Sequence, residues 1–180
     1  MAEFYELNIG GLTRQLPILP VNEKLSIAAF IMLGDNELTE AVAPLLAAKL
    51  PEVDYLVTAE AKGIPLVIEV AKCLHMDRYV VARKSLKLYM HEPIVDQVNS
   101  ITTANTQLLA LDGYDADMIR GKRVAIVDDV ISTGESLEAI ERLLDKAGAN
   151  VVAKAAVLAE GDAANRTDII FLEKLPLFFK

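Results

Sequence analysis

The sequence is poor in the residues that build covalent or metal frameworks. It holds one cysteine, Cys73, which excludes an internal disulfide and any multi-cysteine zinc site. Cys73 falls in an apolar helical stretch, where a buried, inert thiol is expected. Two histidines, His75 and His91, are too few for a zinc site without carboxylates. Cations are outnumbered, 18 lysines and arginines against 26 acids, for a formal net charge of −8. General nucleic-acid binding rests on cations that neutralise phosphates, so no DNA partner is expected, while a local basic pocket stays open. The longest apolar run, Ile27 to Leu33, is far short of a membrane span. Met1 to Glu6 shows no basic segment leading into an apolar core, so no secretory signal is expected and a cytoplasmic location is.

What is present is ordinary for a folded domain: 180 residues, 53% apolar and 24% charged. A single domain over 1–180 is expected, burying roughly two thirds of its unfolded surface. Strand-like and helix-like segments alternate, which predicts an α/β architecture with a mostly parallel sheet flanked by helices. Residues 1–24 carry no clear pattern, although Leu16 to Pro20 must be extended. Ser26 to Leu33 fits a buried strand or a helix. Glu37 to Leu50 reads as a helix with Leu38, Val42, Leu45 and Leu46 on one side. Val53 to Thr58, Gly63 to His75 and Arg78 to Ala82 form a strand–helix–strand unit. Val95 to Ile101 and Thr106 to Leu111 suit a hairpin with its tip at Thr102 to Asn105. Val124 to Val127 is a strand and Ser136 to Ala147 a helix, with Leu137, Ile140, Leu143 and Leu144 inside and Gly148 as its stop. Val151 to Leu158 and Asp168 to Leu172 are the last strands.

The chemistry concentrates in Val124 to Ser136, VAIVDDVISTGES. A buried strand leads into two acids, then a hydroxyl- and glycine-containing loop, then a helix. Ligands of open α/β sheets bind at the carboxyl ends of strands. Two carboxylates there can accept from a diol or hold a hydrated divalent cation. Ser132, Thr133 and Ser136 supply hydroxyls, and the following helix N-terminus suits a phosphate. Helix capping alone would explain the serines but not the paired acids. Asp129 lies too near the chain's end for the remainder of a phosphoacceptor receiver domain. The G-x-x-x-x-G-K-[ST] loop of nucleoside triphosphatases is absent. A diol beside a phosphate describes a ribose 5-phosphate.

This segment resembles the phosphoribosyl pyrophosphate (PRPP) motif of the type I phosphoribosyltransferases. The resemblance implies that Asp128 and Asp129 are the catalytic pair on the ribose hydroxyls, and that Ser132, Thr133, Gly134, Glu135 and Ser136 wrap the 5′-phosphate. Upstream, Thr58-Ala59-Glu60-Ala61-Lys62-Gly63 is similar to the pyrophosphate loop of adenine-type enzymes, with Lys62 in place of the usual arginine, so charge is kept and the bidentate fork lost. Arg83-Lys84-Ser85-Leu86-Lys87 resembles the cationic stretch by which purine enzymes hold pyrophosphate. Glu60, Ala61, Lys62, Gly63, Arg83, Lys84 and Lys87 are thereby implied as pyrophosphate residues.

The likeness covers roughly residues 35 to 175 and is nearest the adenine branch. It implies a type I phosphoribosyltransferase fold with a small hood, from residues 1–34 and the C-terminal tail, over the base, and with a mobile loop in 85–110. It implies transfer of ribose 5-phosphate from PRPP to a purine base, adenine first, giving a nucleoside monophosphate and pyrophosphate, with Mg2+ entering with PRPP and no direct protein ligand named. Ile131, Ile18 and Val21 are implied at the base. A homodimer is implied as well, with the apolar run of residues 26–33 and the proline-rich N-terminus as its contact. A xanthine- or guanine-type enzyme and a non-catalytic PRPP-binding regulator are the alternatives. Two family elements are missing. Val98 to Thr106 has neither the tyrosine nor the glutamate of the adenine enzymes' mobile loop, and Leu16 to Val21 lacks the Phe-Arg-Asp of their hood. Both bear on the base, not on the PRPP site.

Overall fold

A computed structural model describes residues 3–98 and 107–180. Its centre is a five-stranded parallel sheet. The strands are β4 (Tyr55–Ala59), β5 (Val80–Ala82), β8 (Arg123–Ile131), β9 (Asn150–Glu160) and β10 (Ile170–Leu175), in the order β10-β9-β8-β4-β5. Near-continuous apolar runs such as Val124 to Val127 are what a sheet covered on both faces requires. Side chains alternate between two cores: Ala125 and Val127 join one, Val124 and Ile126 the other.

The first core is closed by α1 (Asn36–Ala47) and α2 (Ile64–Cys73). Leu38, Val42 and Leu46 turn inward from α1, while Leu45 is exposed, against the sequence expectation. The helix runs through Pro44, and the Asp35 carboxylate caps its start by accepting from the Leu38 N–H. Cys73 is also exposed, because Leu66, Val67, Val70 and Ala71 take the inner face of α2. The second core is closed by α3 (Gly113–Ile119) and α4 (Glu135–Ala147) and by the hairpin of β6 (Ile94–Val98) and β7 (Gln107–Leu111). Leu137, Ile140, Leu143 and Leu144 are buried as expected, each such side chain stabilising by roughly 1.5–3 kcal/mol. The hairpin docks on α4 through the buried Asp96 carboxylate, which meets Lys146 Nζ at 2.6 Å and Arg142 Nε at 3.0 Å. Its expected tip, Thr102 to Asn105, lies outside the described residues.

A second, antiparallel sheet joins both ends of the chain. It contains β1 (Phe4–Ile9), β2 (Leu12–Pro20), β3 (Leu25–Ala28) and β11 (Leu177–Phe179), in the order β1-β2-β3-β11. Residues 1–24, unassigned from sequence, are therefore largely a hairpin. Its two-residue turn is Gly10-Gly11, with φ of 59° and 77°, which favours glycine at both positions. Ser26 to Leu33 resolves into β3 and an irregular continuation, with Ala28, Phe30 and Met32 buried in the first core. Ile31 and Leu33 of the same run are exposed.

Candidate active site

The strand order reverses between β4 and β8: β5 lies to one side, β9 and β10 to the other. Open sheets part at such a point and leave a crevice at their carboxyl ends. Here the crevice is a cleft of about 460 Å³, roofed by residues 27–31, the end of β3 and its irregular continuation.

Strand β8 continues through Ile131, so Asp128 and Asp129 belong to the strand rather than to the loop after it. Asp129 is buried at 2% exposure, and its backbone N–H donates to Asp128 Oδ1 at 2.8 Å. Burial and the neighbouring Asp129 carboxylate push the Asp128 carboxyl upward, against the pull of Lys62. Lys62 Nζ lies 2.8 Å from Asp129 Oδ2 and pairs this buried carboxylate at the cleft.

The loop after β4 carries Glu60, Ala61 and Lys62 along the cleft wall. Glu60 accepts from the Lys84 backbone N–H at 2.8 Å and pairs with Arg83 Nη2 at 3.2 Å. Arg83 first, then the Lys84 N–H, hold its carboxyl below the ordinary range. The Glu60–Arg83 pair thus ties the β4 and β5 loops together, and Arg83 also reaches the Tyr89 hydroxyl. Gly63 is required by close approach: a Cβ there would stand 2.2 Å from Thr58 Oγ1 and 3.3 Å from Asp128 Oδ1.

The pyrophosphate residues expected from sequence therefore divide. Lys62 and Lys84 line the cleft as cations. Arg83 does not line it, because Glu60 engages its guanidinium, and Lys87 does not, its Nζ lying 2.6 Å from Ser85 Oγ. In the loop after β8, Ser132, Thr133, Gly134 and Ser136 line the cleft, whereas Glu135, expected with them, is exposed outside it. Gly134, the N-cap of α4, has φ 91° and no side chain to cap with; Thr133 Oγ1 accepts from the Glu135 N–H at a long 3.5 Å, and the helix N-terminus still faces the cleft as a place for an anion.

Of the three base residues expected, Ile131 lines the cleft. Ile18 and Val21 do not. Ile18 pairs with Ala28 one strand further out, and Val21 lies beyond β2 at 57% exposure. Ile27 to Ile31, Val130 and Leu175 line the cleft instead. Glu160, at the end of β9, lines the cleft and was missed by sequence reasoning. The signal was available, since Glu160 closes an apolar strand as Asp128 does. Among the described residues no group of three or more metal-ligating side chains gathers, and no helix is long and apolar enough to cross a membrane.

The comparisons with known proteins agree with this geometry. The phosphoribosyl transferase domain family matches residues 34–174. A hypoxanthine/guanine phosphoribosyltransferase of Methanococcus voltae is 34% identical over 141 residues, covering 78% of this chain and 71% of that protein. One from Ferroglobus placidus is 34% identical over 127 residues, covering 71% and 64%. The chain thus spans about two thirds of the length of these relatives. Among solved structures, an adenine phosphoribosyltransferase from Thermoanaerobacter pseudethanolicus superposes with TM-score 0.71 at 22% identity, covering 88% of this chain and 95% of that one. The Saccharomyces cerevisiae enzyme gives 0.64 at 20% identity, covering 95% and 93%, and both speak to the fold. A match over most of the chain, with paired acids, hydroxyl loop and cationic loops meeting at one switch point, makes this chain a member of the phosphoribosyl transferase domain family.

Proposed function

We propose that the chain transfers the ribosyl 5-phosphate of PRPP to a ring nitrogen of a purine, with adenine as acceptor and AMP and pyrophosphate as products. The observation that carries this reading is the buried Asp129 carboxylate, paired with the half-exposed Lys62 at 2.8 Å, facing a cleft that also holds a hydroxyl-lined helix N-terminus and a second lysine. Along the sheet edge the groups fall in the order of the substrate's parts. Lys62 and Lys84, on the β4 and β5 side, attract the diphosphate. Asp128 and Asp129 accept from the ribose hydroxyls. Residues 132–136 receive the 5′-phosphate through N–H and hydroxyl donors.

Lys62 has a double role in this reading. Without ligand it partly neutralises Asp129. Its side chain is half exposed, so it can swing to the incoming diphosphate and leave the Asp129 carboxylate to the ribose. Departure of pyrophosphate leaves positive charge on the sugar, and the two carboxylates stabilise it while the lysines hold the leaving group. The acceptor nitrogen then bonds to the same sugar carbon and its proton is lost. The apolar roof at Ile27 to Ile31 excludes water from the reactive sugar.

The donor set fits magnesium as a partner of PRPP. Two adjacent carboxylates do not cage an ion, and magnesium is commonly held by one or two carboxylates plus substrate phosphates. Bound there, it would neutralise charge on the diphosphate. The names of the relatives favour a second acceptor, hypoxanthine or guanine.

A product assay tests the proposal. Protein, magnesium and PRPP are incubated separately with adenine, hypoxanthine, guanine, xanthine, orotate and uracil, and nucleotide is read by chromatography. AMP formed by the native chain, and lost when Asp128→Asn and Asp129→Asn are combined, is the expected outcome. PRPP binding without turnover of any base would replace it with a nucleotide-sensing role.

A further inference from the structure

Four acids line the cleft among the described residues: Asp128 and Asp129 are used by the proposed transfer, Glu60 is engaged by Arg83 and the Lys84 N–H, and Glu160 is left without a task. It ends β9, one strand from the acids of β8: Ile131 pairs with Ala159, so Glu160 stands beside the start of the hydroxyl loop. The cationic loops lie on the opposite side of β8, after β4 and β5. In a displacement at the sugar carbon, the entering nitrogen and the departing oxygen occupy opposite faces, with reacting atoms aligned. If Lys62 and Lys84 mark the leaving side, the base belongs on the β9 side.

The surroundings at that end suit a flat heterocycle. Ile27, Phe30, Ile31, Ile131 and Leu175 give apolar walls, and pockets for such rings combine apolar walls with a few placed polar groups. Leu175 is the direct ladder partner of Glu160. The next residue, Gly161, packs so closely on Leu177 that a Cβ would stand 2.7 Å from its Cδ1, which clamps the end of β9 to the small sheet. Glu160 is half-buried, and among the described residues its carboxylate has neither an ion-pair nor a hydrogen-bond partner. Burial pushes its carboxyl upward, and Lys62 opposes this.

We propose that Glu160 reads the exocyclic amine of the acceptor base and so selects a 6-aminopurine over a 6-oxopurine; this rests on the transfer reading above. A carboxylate accepts hydrogen bonds and cannot donate them. It satisfies an amine and itself. A 6-oxo group in the same place would set two acceptors face to face and leave both unpaired, which a buried site rejects strongly. The carboxylate is thus a specificity-determining group, distinct from the ribose-binding acids.

The test is Glu160→Gln, which keeps the size and adds a donor. Affinities for AMP, IMP, GMP and PRPP are measured by calorimetry, with kcat/KM for adenine and hypoxanthine alongside. The expected result is a native preference for AMP over IMP of at least about tenfold, reduced about tenfold or more by the substitution. PRPP affinity, which also reports correct folding, stays unchanged. An AMP-to-IMP ratio within about twofold of native, or a loss centred on GMP, overturns the role of Glu160 while purine transfer stands. A native chain that binds PRPP but neither a purine nucleotide nor a purine base overturns both. If Glu160→Gln fails to bind PRPP, Glu160→Ala is put through the same ratio.

Discussion

Gly63→Ala isolates packing at the site from backbone conformation. Gly63 has φ −74° and ψ −14°, an ordinary helical geometry for any residue. On that ground alone alanine would stabilise, by roughly 0.4–1 kcal/mol, through the lower entropy of the unfolded chain. Sterics oppose it. The added Cβ would meet Thr58 Oγ1 at 2.2 Å, with Asp128 Oδ1 and the Val127 carbonyl at 3.3 Å. Thr58 is fully buried in β4 and has little room to retreat. Overpacking of this kind costs about 1–3 kcal/mol, so the clash wins and a net loss of about 1–2 kcal/mol is expected. For a chain of this size that lowers Tm by roughly 2–8 °C. Relief by movement of the 60–63 loop or of Asp128 would weaken PRPP binding by about tenfold or more. Urea denaturation and calorimetry with PRPP read the two effects. Thr58→Ala removes the clashing oxygen, which has no hydrogen-bond partner to orphan. The double variant should therefore recover both stability and affinity, with a coupling of about 1 kcal/mol or more. Native-like stability and PRPP affinity in Gly63→Ala, or no rescue by Thr58→Ala, would refute the reasoning.

The Asp128 carboxyl is held above its ordinary value in the folded chain, first by burial and then by Asp129. The folded state therefore binds this proton more tightly than the unfolded state does. The resulting stability is fully present below the unfolded value near 3.8 and is lost as pH rises through the raised value. Asp128→Asn should cancel that loss, so its advantage over the native chain grows from about pH 4 to about pH 8 in urea denaturation, while PRPP binding is lost; a pH-independent difference would show that burial of Asp128 has been misjudged. Lys84→Ala should weaken pyrophosphate far more than AMP, since Lys84 lines the cleft on the leaving-group side; equal losses for both ligands in calorimetry would place it elsewhere.

Much of the site is legible locally because its physics is local. A buried strand can end in two acids only where the fold opens, and a hydroxyl–glycine loop before a helix makes an anion site from the backbone itself. Asp128, Asp129, Ser132, Thr133 and Ser136 were found that way and do meet in one cleft. The helix α4 was equally plain, since its apolar spacing and Gly148 follow from helical geometry alone. The α3 helix was missed because it is only 7 residues long, too short for periodicity to show. The Gly10-Gly11 hairpin had its signal in the paired glycines between Ile9 and Leu12.

The roles of the cations and of the roof were not legible, because they depend on partners distant in the chain. Arg83 and Lys84 are neighbours in sequence, yet Glu60 reaches across from another strand, takes the guanidinium of one and the backbone N–H of the other, and leaves only the second side chain to the cleft. Ile18 and Val21 yield to Ile27 to Ile31 because β3 pairs with β11 from the far end of the chain and so lies nearest the cleft. Glu160 acquires meaning only once β9 lies beside β8. Periodicity set the α/β class, and the acid–hydroxyl motif pointed to the family and to the cleft residues of β8 and its loop, since each rests on contacts within one strand–loop–helix unit. Which charges and which apolar walls line the cleft were decided by strand order and long-range pairing, for a side chain's availability depends on every group the fold brings within reach.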